Sequence, residues 1–250
     1  MVTISTKRAS NEISHGKKLV EKDPEFVWGW GTTAGRHRAT RRAKGIAERA
    51  GLKSGVRALE IGCGTGLFTE MFAQSGASLV AIDISDKMLE IARLRGLPES
   101  QVEFIEGRVE EYYVDSPFDA VVGSSVLHHL EVEVALMKIL DLLKPGGVLS
   151  LAEPNMLNPQ VCAERKLRCL PWFWNVSPDE TAFVRWKLRT LMMHVGFESV
   201  SIQPFDWLHP ATPGYLIETV KRLGDLAERV PMIREFAGSL IISARRPHSS

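Results

Sequence analysis

The chain has 250 residues, and its 31 lysine and arginine residues against 30 aspartate and glutamate residues leave a formal net charge of +1. This balance gives no indication of a polyanionic partner. A composition of 44% hydrophobic and 24% charged residues excludes a disordered or fibrous chain. The three cysteines, Cys63, Cys162 and Cys169, form neither a disulfide framework nor a zinc-binding spacing, so we expect no metal site.

The start of the chain gives no sign of export or membrane insertion. The first twenty residues are polar and lack the apolar core of a signal peptide. No stretch approaches the roughly 18 to 20 apolar residues that a membrane span needs. We therefore expect no membrane span and a cytoplasmic location.

The first predicted element is a helix over residues 35–50 that ends at Gly51, preceded by an arm with Phe26, Trp28 and Trp30. This helix carries the one basic cluster of the chain: Arg36, His37, Arg38, Arg41, Arg42 and Lys44. We interpret the cluster as the solvated face of a helix, with an RNA contact as the alternative.

Short apolar strands then alternate with amphipathic helices. Strands are predicted at 58–61, 79–82, 102–105, 119–122 and 148–152. Ser85 caps one of the helices, and the clearest helix spans 132–143, where apolar residues recur three and four positions apart. This alternation predicts an α/β fold with a mostly parallel, doubly wound sheet that is covered on both faces.

The second half of the chain departs from this rhythm. An irregular insertion over 155–176 is rich in Trp and Phe, and Ser177 is predicted to cap a helix that buries Val184, Leu188, Leu191, Met192 and Val195. A strand follows at 199–205. A second insertion over 208–236 holds a predicted helix whose inward residues are Leu216, Val220, Leu223 and Ala227, and the last strand spans 240–244.

The motif that bears on function joins the first strand to the next helix. Glu60 and Ile61 precede Gly62-Cys63-Gly64-Thr65-Gly66, where glycines let the backbone approach a ligand at a helix N-terminus. Asp83 ends the second strand, 21 residues after Gly62, at the spacing where an acidic side chain holds the ribose hydroxyls of a nucleotide. The alternative is a tight turn with no ligand.

Two nucleotide ligands compete for this motif. A nicotinamide dinucleotide fingerprint needs glycine at its first, third and sixth positions, but here the third glycine stands at the fifth position and Leu67 at the sixth. Glu60 also stands where a dinucleotide fold prefers an apolar residue. A carboxylate at this position favours a ligand with an ammonium group, such as the methionine end of S-adenosylmethionine.

These stretches resemble the class I S-adenosylmethionine-dependent methyltransferases. The resemblance covers roughly residues 56–155 well and 178–246 in outline, and rests on the stretches 59–66, 81–85, 118–122, 126–130 and 143–147. It implies a Rossmann-like sheet of seven strands, mostly parallel with an antiparallel last strand, to which the chain adds cap insertions. We accordingly predict an arm and lid helix over 1–45 and a methyltransferase domain over 46–250, with cap insertions at about 155–176 and 208–236.

The resemblance also implies which residues bind the cofactor, S-adenosylmethionine. The predicted cofactor residues are Glu60, Gly62, Cys63, Gly64, Asp83, Ile84, Met88, Arg108, Val109 and Ser124. Gly62 and Gly64 would line the methionine part, and Ile84 and Met88 the adenine. The family often has an acidic residue where this chain has Arg108, which cannot accept a hydrogen bond from the adenine amino group. We therefore expect either the Val109 backbone to contact the adenine or Arg108 to stack on it.

Direct methyl transfer needs an oriented acceptor more than a nucleophilic side chain. Candidate general bases are His128, His129 and Glu153, at the carboxyl ends of the fourth and fifth strands, and His209 in the second insertion. Structural roles are the alternative for each of them.

The aromatic content of the insertions favours a small, apolar or aromatic acceptor, although these aromatics can equally serve only to pack the insertions onto the sheet. The segment 28–35 is predicted to fold over the cofactor as a lid, with Arg36 near the cofactor carboxylate. Methylation of RNA and binding of the cofactor without turnover are the alternative functions.

Overall fold

A seven-stranded sheet forms the centre of the molecule in the computed structural model, which describes residues 20–166 and 182–248. Its strands are β1 (Arg57–Ile61), β2 (Ser78–Asp83), β3 (Val102–Glu106), β4 (Phe118–Ser124), β5 (Leu143–Pro154), β6 (Glu198–Phe205) and β7 (Ser239–Arg245). The helices are α1 (Pro24–Val27), α2 (Thr33–Ala50), α3 (Leu67–Ala73), α4 (Asp86–Arg93), α5 (Val132–Leu142), α6 (Pro159–Lys166), α7 (Arg185–Val195), α8 (Ile217–Arg229) and α9 (Pro231–Arg234).

The strand order is β3-β2-β1-β4-β5-β7-β6. Strands β1 to β5 pair in parallel, and β7 lies antiparallel between β5 and β6. The predicted α/β fold, with seven strands and an antiparallel last strand, is confirmed. Because the order reverses between β1 and β4, the carboxyl ends of these strands flank the crevice where ligands bind in open parallel sheets.

Both faces of the sheet are covered by helices, as the continuous apolar strands predict. Side chains alternate along a strand, so neighbouring residues of β4 enter different cores. Val122 packs in the core that contains Phe72 of α3, and Val121 in the core that contains Leu136 of α5. The sheet is thereby buried on both sides, and its carboxyl edge lies between the two layers of helices.

Several predicted helix ends are confirmed. Gly51 ends α2 in the left-handed conformation with φ of 66°, and the Ser85 hydroxyl accepts the N–H of Met88 at the start of α4. Helix α2 runs through residue 45, where the predicted arm and the predicted methyltransferase domain meet. That division of the chain stays a prediction. Among the described residues, no helix is both long enough and apolar enough to cross a bilayer.

The predicted start of the helix at Ser177 is not borne out in the described part of the chain. Ser177 itself lies outside the described residues, but α7 begins only at Arg185. Phe183 forms a parallel bridge with Asn155, its N–H donates to the Pro154 carbonyl, and its own carbonyl accepts the N–H of Met156. These bonds hold the backbone before α7 in an extended form.

The predicted inward face of α8 is wrong for Leu216 and Leu223, which are exposed. Val220 packs inward against Leu208 and Ile217 as predicted, and Ala227 is half-buried. Ile217 and Gly224 are the buried residues of the helix. A Cβ at Gly224 would lie 3.0 Å from the Cβ of Trp207, so glycine lets this face approach the underlying tryptophan closely. Packing against Trp207, and not the larger leucines, therefore sets the rotation of α8.

This rotation is testable by stability. We expect Ile217→Ala to lower the free energy of unfolding by about 2–4 kcal/mol, because it leaves a cavity under α8. Leu223→Ala should change it by no more than about 0.5 kcal/mol, because the side chain is in solvent. Urea unfolding followed by circular dichroism measures both, and a larger loss for Leu223→Ala would contradict the observed face.

Candidate functional site

The glycine loop between β1 and α3 has a backbone that only glycine fits at its first position. Gly62 has φ of 64°, and a Cβ there would meet Cγ2 of Val126 at 2.3 Å. Gly64 and Gly66 also have positive φ, of 52° and 76°. The N–H of Gly62 donates to the Ile82 carbonyl at 2.8 Å, which ties the loop to the end of β2. At the carboxyl edge of the sheet, other groups can therefore approach the backbone of this loop closely.

Asp83, at the end of β2, faces this loop. Its Oδ2 accepts the N–H of Gly64 at 2.7 Å, and its Oδ1 accepts the N–H of Ser85 at 2.9 Å. Burial raises the pKa of Asp83, against the effect of these backbone donors. A carboxylate has about four lone-pair positions, so acceptor capacity remains for two more donors. A pair of ribose hydroxyls supplies such donors.

Glu60 lies beside Asp83 and is almost completely buried, with 1% exposure. Burial raises the pKa of Glu60 to about 8, and the negative charge of Asp83 acts in the same direction. The Thr69 hydroxyl acts on this carboxyl to lower its pKa, but Oε2 of Glu60 makes no hydrogen bond of standard geometry within the described part of the chain. A buried acceptor without a donor is costly, and a donor or a positive charge placed beside Glu60 would offset this cost.

The N-terminal arm covers the glycine loop. Glu25 of α1 accepts a hydrogen bond from the Thr65 hydroxyl at 3.1 Å and forms ion pairs with Arg95 and Arg36, the latter at 3.2 Å. The ring of Trp28 lies over Gly64, 3.5 Å from where a Cβ would stand. The predicted lid segment thus lies beside the predicted cofactor loop, and Glu25 fastens it there.

Glu153, at the end of β5, is a second buried carboxylate, but its partners are complete. Its Oε1 accepts the N–H groups of Val126 and Leu127 at 3.0 and 2.8 Å, and its Oε2 lies 2.6 Å from Nδ1 of His128. Although burial acts to raise it, His128 and the two N–H groups hold the pKa of Glu153 below its usual value. The structure joins two of the four predicted base candidates, His128 and Glu153, in one buried contact.

His129 differs from its neighbour in exposure. It is half-buried, its ring centroid lies 4.1 Å from that of His128, and its charge acts on the pKa of Asp83. His209 lies on the surface instead, where its Nδ1 accepts the N–H of Ala211 in a turn. Of the four histidine and glutamate candidates, His129 therefore combines partial access with a place beside the predicted cofactor site.

Arg42 is a functional candidate that the sequence interpretation missed. It is 2% exposed, and it donates to the hydroxyls of Ser125 at 2.8 Å and Ser239 at 2.5 Å. Burial lowers the pKa of Arg42 to about 10, so it stays charged at neutral pH. Ser125 follows β4 with an unusual φ of 58°. Arg42 thus holds the backbone between β4 and His128.

The interpretation of the basic cluster as a solvated face is wrong for two of its arginines, the buried Arg42 and the half-buried Arg38, which pairs with Asp206 at 2.9 Å. Arg41 is exposed as predicted, although it pairs with Glu228 at 2.7 Å. The sequence does hold a signal for Arg42, because Ala39, Arg42, Ala43 and Ile46 recur at helical spacing on the buried stripe of α2.

The remaining predicted cofactor residues lie around the same edge. Met88, Val109 and Cys63 are buried, whereas Ile84 and Ser124 are half-buried. Burial raises the pKa of the Cys63 thiol well above its usual value, as expected for a packing residue. Arg108 pairs with Glu111 at 2.9 Å, and its stacking on adenine stays a prediction. Among the described residues, no group of three or more acidic, histidine or cysteine side chains is arranged to hold a metal ion.

The complete bonding of Glu153 makes it a structural carboxylate with a measurable effect. Glu153→Ala leaves two buried N–H groups and His128 without their acceptor, so we expect a loss of about 3–5 kcal/mol in the free energy of unfolding. Urea unfolding measures this loss. The matched control is Glu103→Ala, an exposed glutamate of β3, with an expected change of about 0.5 kcal/mol or less. Equal losses in the two variants would contradict the assignment.

Comparison with known proteins agrees with this geometry. Residues 59–151 match the family model described as a methyltransferase domain. A protein of Xanthomonas campestris pv. campestris (strain B100) named ubiquinone biosynthesis O-methyltransferase is 39% identical over 114 residues, 44% of this chain and 47% of that protein. The chain spans about half the length of the curated relatives that it matches.

Solved structures match the fold over nearly the whole chain. The N-methyltransferase NodS from Bradyrhizobium japonicum WM9, in complex with S-adenosyl-L-homocysteine, has a TM-score of 0.63 and 18% identity, covering 95% of this chain and 99% of that one. The [4+2]-cyclase SpnF has a TM-score of 0.67 and 22% identity, covering 98% of each chain. Residues 59–151 are thus similar to a methyltransferase domain, and the chain shares the fold of solved methyltransferase structures.

Proposed function

We propose that this protein is an S-adenosylmethionine-dependent methyltransferase that acts on a small molecule. One observation carries the proposal: two carboxyl groups, the buried Glu60 and the half-buried Asp83, lie beside the glycine loop with acceptor capacity left over. The cofactor offers an ammonium group, a positively charged sulfur and two ribose hydroxyls. Its positive charges and its hydroxyl donors can pair with these carboxyl groups.

The residues around the glycine loop supply the rest of the proposed site. Gly62 and Gly64 would face the methionine part, Asp83 the ribose, and Ile84 and Met88 the adenine. The bound cofactor supplies a methyl group on a positively charged sulfur, ready for direct displacement. The protein needs to orient the acceptor and exclude water, and the arm over Gly64, fastened by Glu25, serves both purposes.

The acceptor is proposed to be a small molecule with a hydroxyl group. The names of the curated relatives, O-methyltransferases, support a hydroxyl. For proton removal, His129 is the proposed general base, because it is half-buried beside the cofactor site, whereas His128 is fixed by Glu153. The aromatic residues 172–174, on which the prediction of an apolar acceptor partly rested, lie outside the described residues, so that acceptor class stays a prediction.

Methylation of RNA is the less favoured function. The basic cluster that suggested it is largely engaged within the molecule, since Arg38, Arg41 and Arg42 bind side chains of the protein itself. Nucleic-acid affinity depends on arginines and lysines that are free to neutralise phosphates. This engagement supports a small-molecule acceptor.

The ribose contact is tested by Asp83→Ala. Loss of two charge-assisted hydrogen bonds should weaken the binding of S-adenosylhomocysteine about 100-fold or more. Isothermal titration calorimetry measures the dissociation constant, with the exposed-residue variant Glu103→Ala as control. Unchanged affinity in Asp83→Ala would contradict the proposed site.

Transfer is tested separately, by incubating the protein with labelled S-adenosylmethionine and a metabolite extract. We expect label in a small organic product. Binding without any transfer to the extract would favour a cofactor-binding protein without turnover. Transfer to RNA instead would contradict the proposed acceptor.

Glu60→Gln should have opposite effects on stability and on binding. The pKa of Glu60 is raised from 4.5 to about 8 on folding, so the folded state loses stability as the pH rises through this range. The neutral glutamine escapes this loss, and we expect the variant to be more stable than the wild type at about pH 8.5, by on the order of 2–4 kcal/mol, with a smaller difference at about pH 5.

The same variant should bind S-adenosylmethionine at least tenfold more weakly, because a neutral amide cannot neutralise the ammonium group. Urea unfolding at the two pH values and calorimetry measure the two effects. A variant that is less stable at high pH, or that keeps full affinity, would contradict the role assigned to Glu60.

A further inference from the structure

The region after β6 exposes a continuous set of large apolar side chains, which we call the α8–α9 face. Its members all show more than a third of their surface to solvent: Tyr215, Leu216, Leu223, Leu226, Val230, Met232, Ile233 and Phe236. Exposed apolar residues that stand alone are ordinary, but a contiguous patch marks an interaction surface.

Two members of the α8–α9 face, Leu223 and Leu226, lie three residues apart within α8, so their side chains share one side of the helix. Leu216 comes directly before α8 and Val230 directly after it. The other side of α8 is already packed, through Ile217 and Gly224. The helix therefore has two apolar sides, and the fold uses one of them.

Two arginines beside this face lie outside any ion pair among the described residues. The acidic groups of this region are paired within the molecule: Asp225 and Glu228 with Arg41, Glu218 with Lys221, and Glu235 with Arg185. By contrast, Arg222 and Arg229 are exposed, and neither is in an ion pair within 4 Å among the described residues. The border of the α8–α9 face thus presents two guanidinium groups that these ion pairs do not include.

This charge argues against a second copy of the chain as the occupant. If two copies paired their α8 helices in antiparallel fashion around Leu223 and Leu226, Arg222 of one would lie beside Arg229 of the other. Like charges at the border of an apolar seam oppose such pairing. The surface instead requires an apolar partner with negative charges at its boundary.

We propose that the α8–α9 face docks the protein onto the surface of an anionic lipid bilayer. Leu216, Leu223 and Leu226 would enter the boundary of the acyl chains, and Arg222 and Arg229 would meet lipid phosphates. An amphipathic helix with arginines beside its apolar side lies in the plane of such an interface and does not span the membrane. This inference does not rest on the proposed methyl transfer.

The test is flotation of the cofactor-free protein with vesicles of phosphatidylglycerol and phosphatidylcholine. We expect the wild type to float with anionic vesicles and to bind at least tenfold more weakly to pure phosphatidylcholine. The double variant Leu223→Glu, Leu226→Glu should lose at least tenfold in vesicle binding. Both leucines are more than half exposed, at 61% and 55%, so the variant should keep its fold, which circular dichroism verifies.

The matched control is Leu94→Glu, the same change at a leucine that is 85% exposed at the end of α4. It should bind vesicles like the wild type. Failure of the wild type to float, or an equal loss in the control, would overturn the proposal. A wild-type dimer in light scattering that the double variant abolishes would also overturn it, because the second copy would then be the occupant. None of these outcomes depends on cofactor binding, which calorimetry tests separately.

Discussion

Burial of carboxyl groups near the carboxyl edge of the sheet is the constraint on which the arrangement of the other elements depends. Glu60 and Glu153 lie near the ends of β1 and β5 and are buried, whereas Asp83 ends β2 and is half-buried. A buried carboxyl group without hydrogen-bond donors is costly. Glu153 obtains three donors from the loop after β4, whereas Glu60 keeps one oxygen without a partner among the described residues. The protein itself therefore fixes Glu153, while Glu60 keeps acceptor capacity.

Helix α2 connects this edge to the outer parts of the chain through its arginines. Arg42 reaches the loop after β4 and the start of β7, and Arg38 reaches Asp206 after β6. The two guanidinium groups also lie 5.2 Å from the ring of Trp30, at the end of the arm. Helix α2 thus contacts the arm, the site and the region before α8 through these two arginines.

The sequence predicts the sheet and the conformation of the glycine loop well, because both depend on local patterns. Apolar strands and helical spacing identified the order of elements up to β5, and the glycines together with Asp83 identified the loop and the facing carboxylate. The partners of the buried Arg42, Ser125 and Ser239, come from distant parts of the chain. Helical spacing places Arg42 on the buried stripe of α2, but only the structure shows which groups satisfy its charge there.

The face of α8 was mispredicted for a related physical reason. Periodicity alone gives two apolar sides to this helix, and the choice between them was made by residue size. The structure makes the choice by proximity, since Gly224 allows close contact with Trp207 and turns Leu223 outward. The exposure of the leucines is therefore a consequence of this packing, and the spacing of apolar residues in the sequence does not predict it.

The acceptor is decided by the parts of the chain that the shared fold does not constrain. An N-methyltransferase and a [4+2]-cyclase both superpose on this chain with TM-scores above 0.6, so the sheet and its edge are compatible with more than one reaction. What differs between such proteins is what lies over the edge. In this chain, the arm fastened by Glu25 and the elements after β6 lie there. The two parts meet where the Thr32 hydroxyl donates to the Pro210 carbonyl at 2.8 Å.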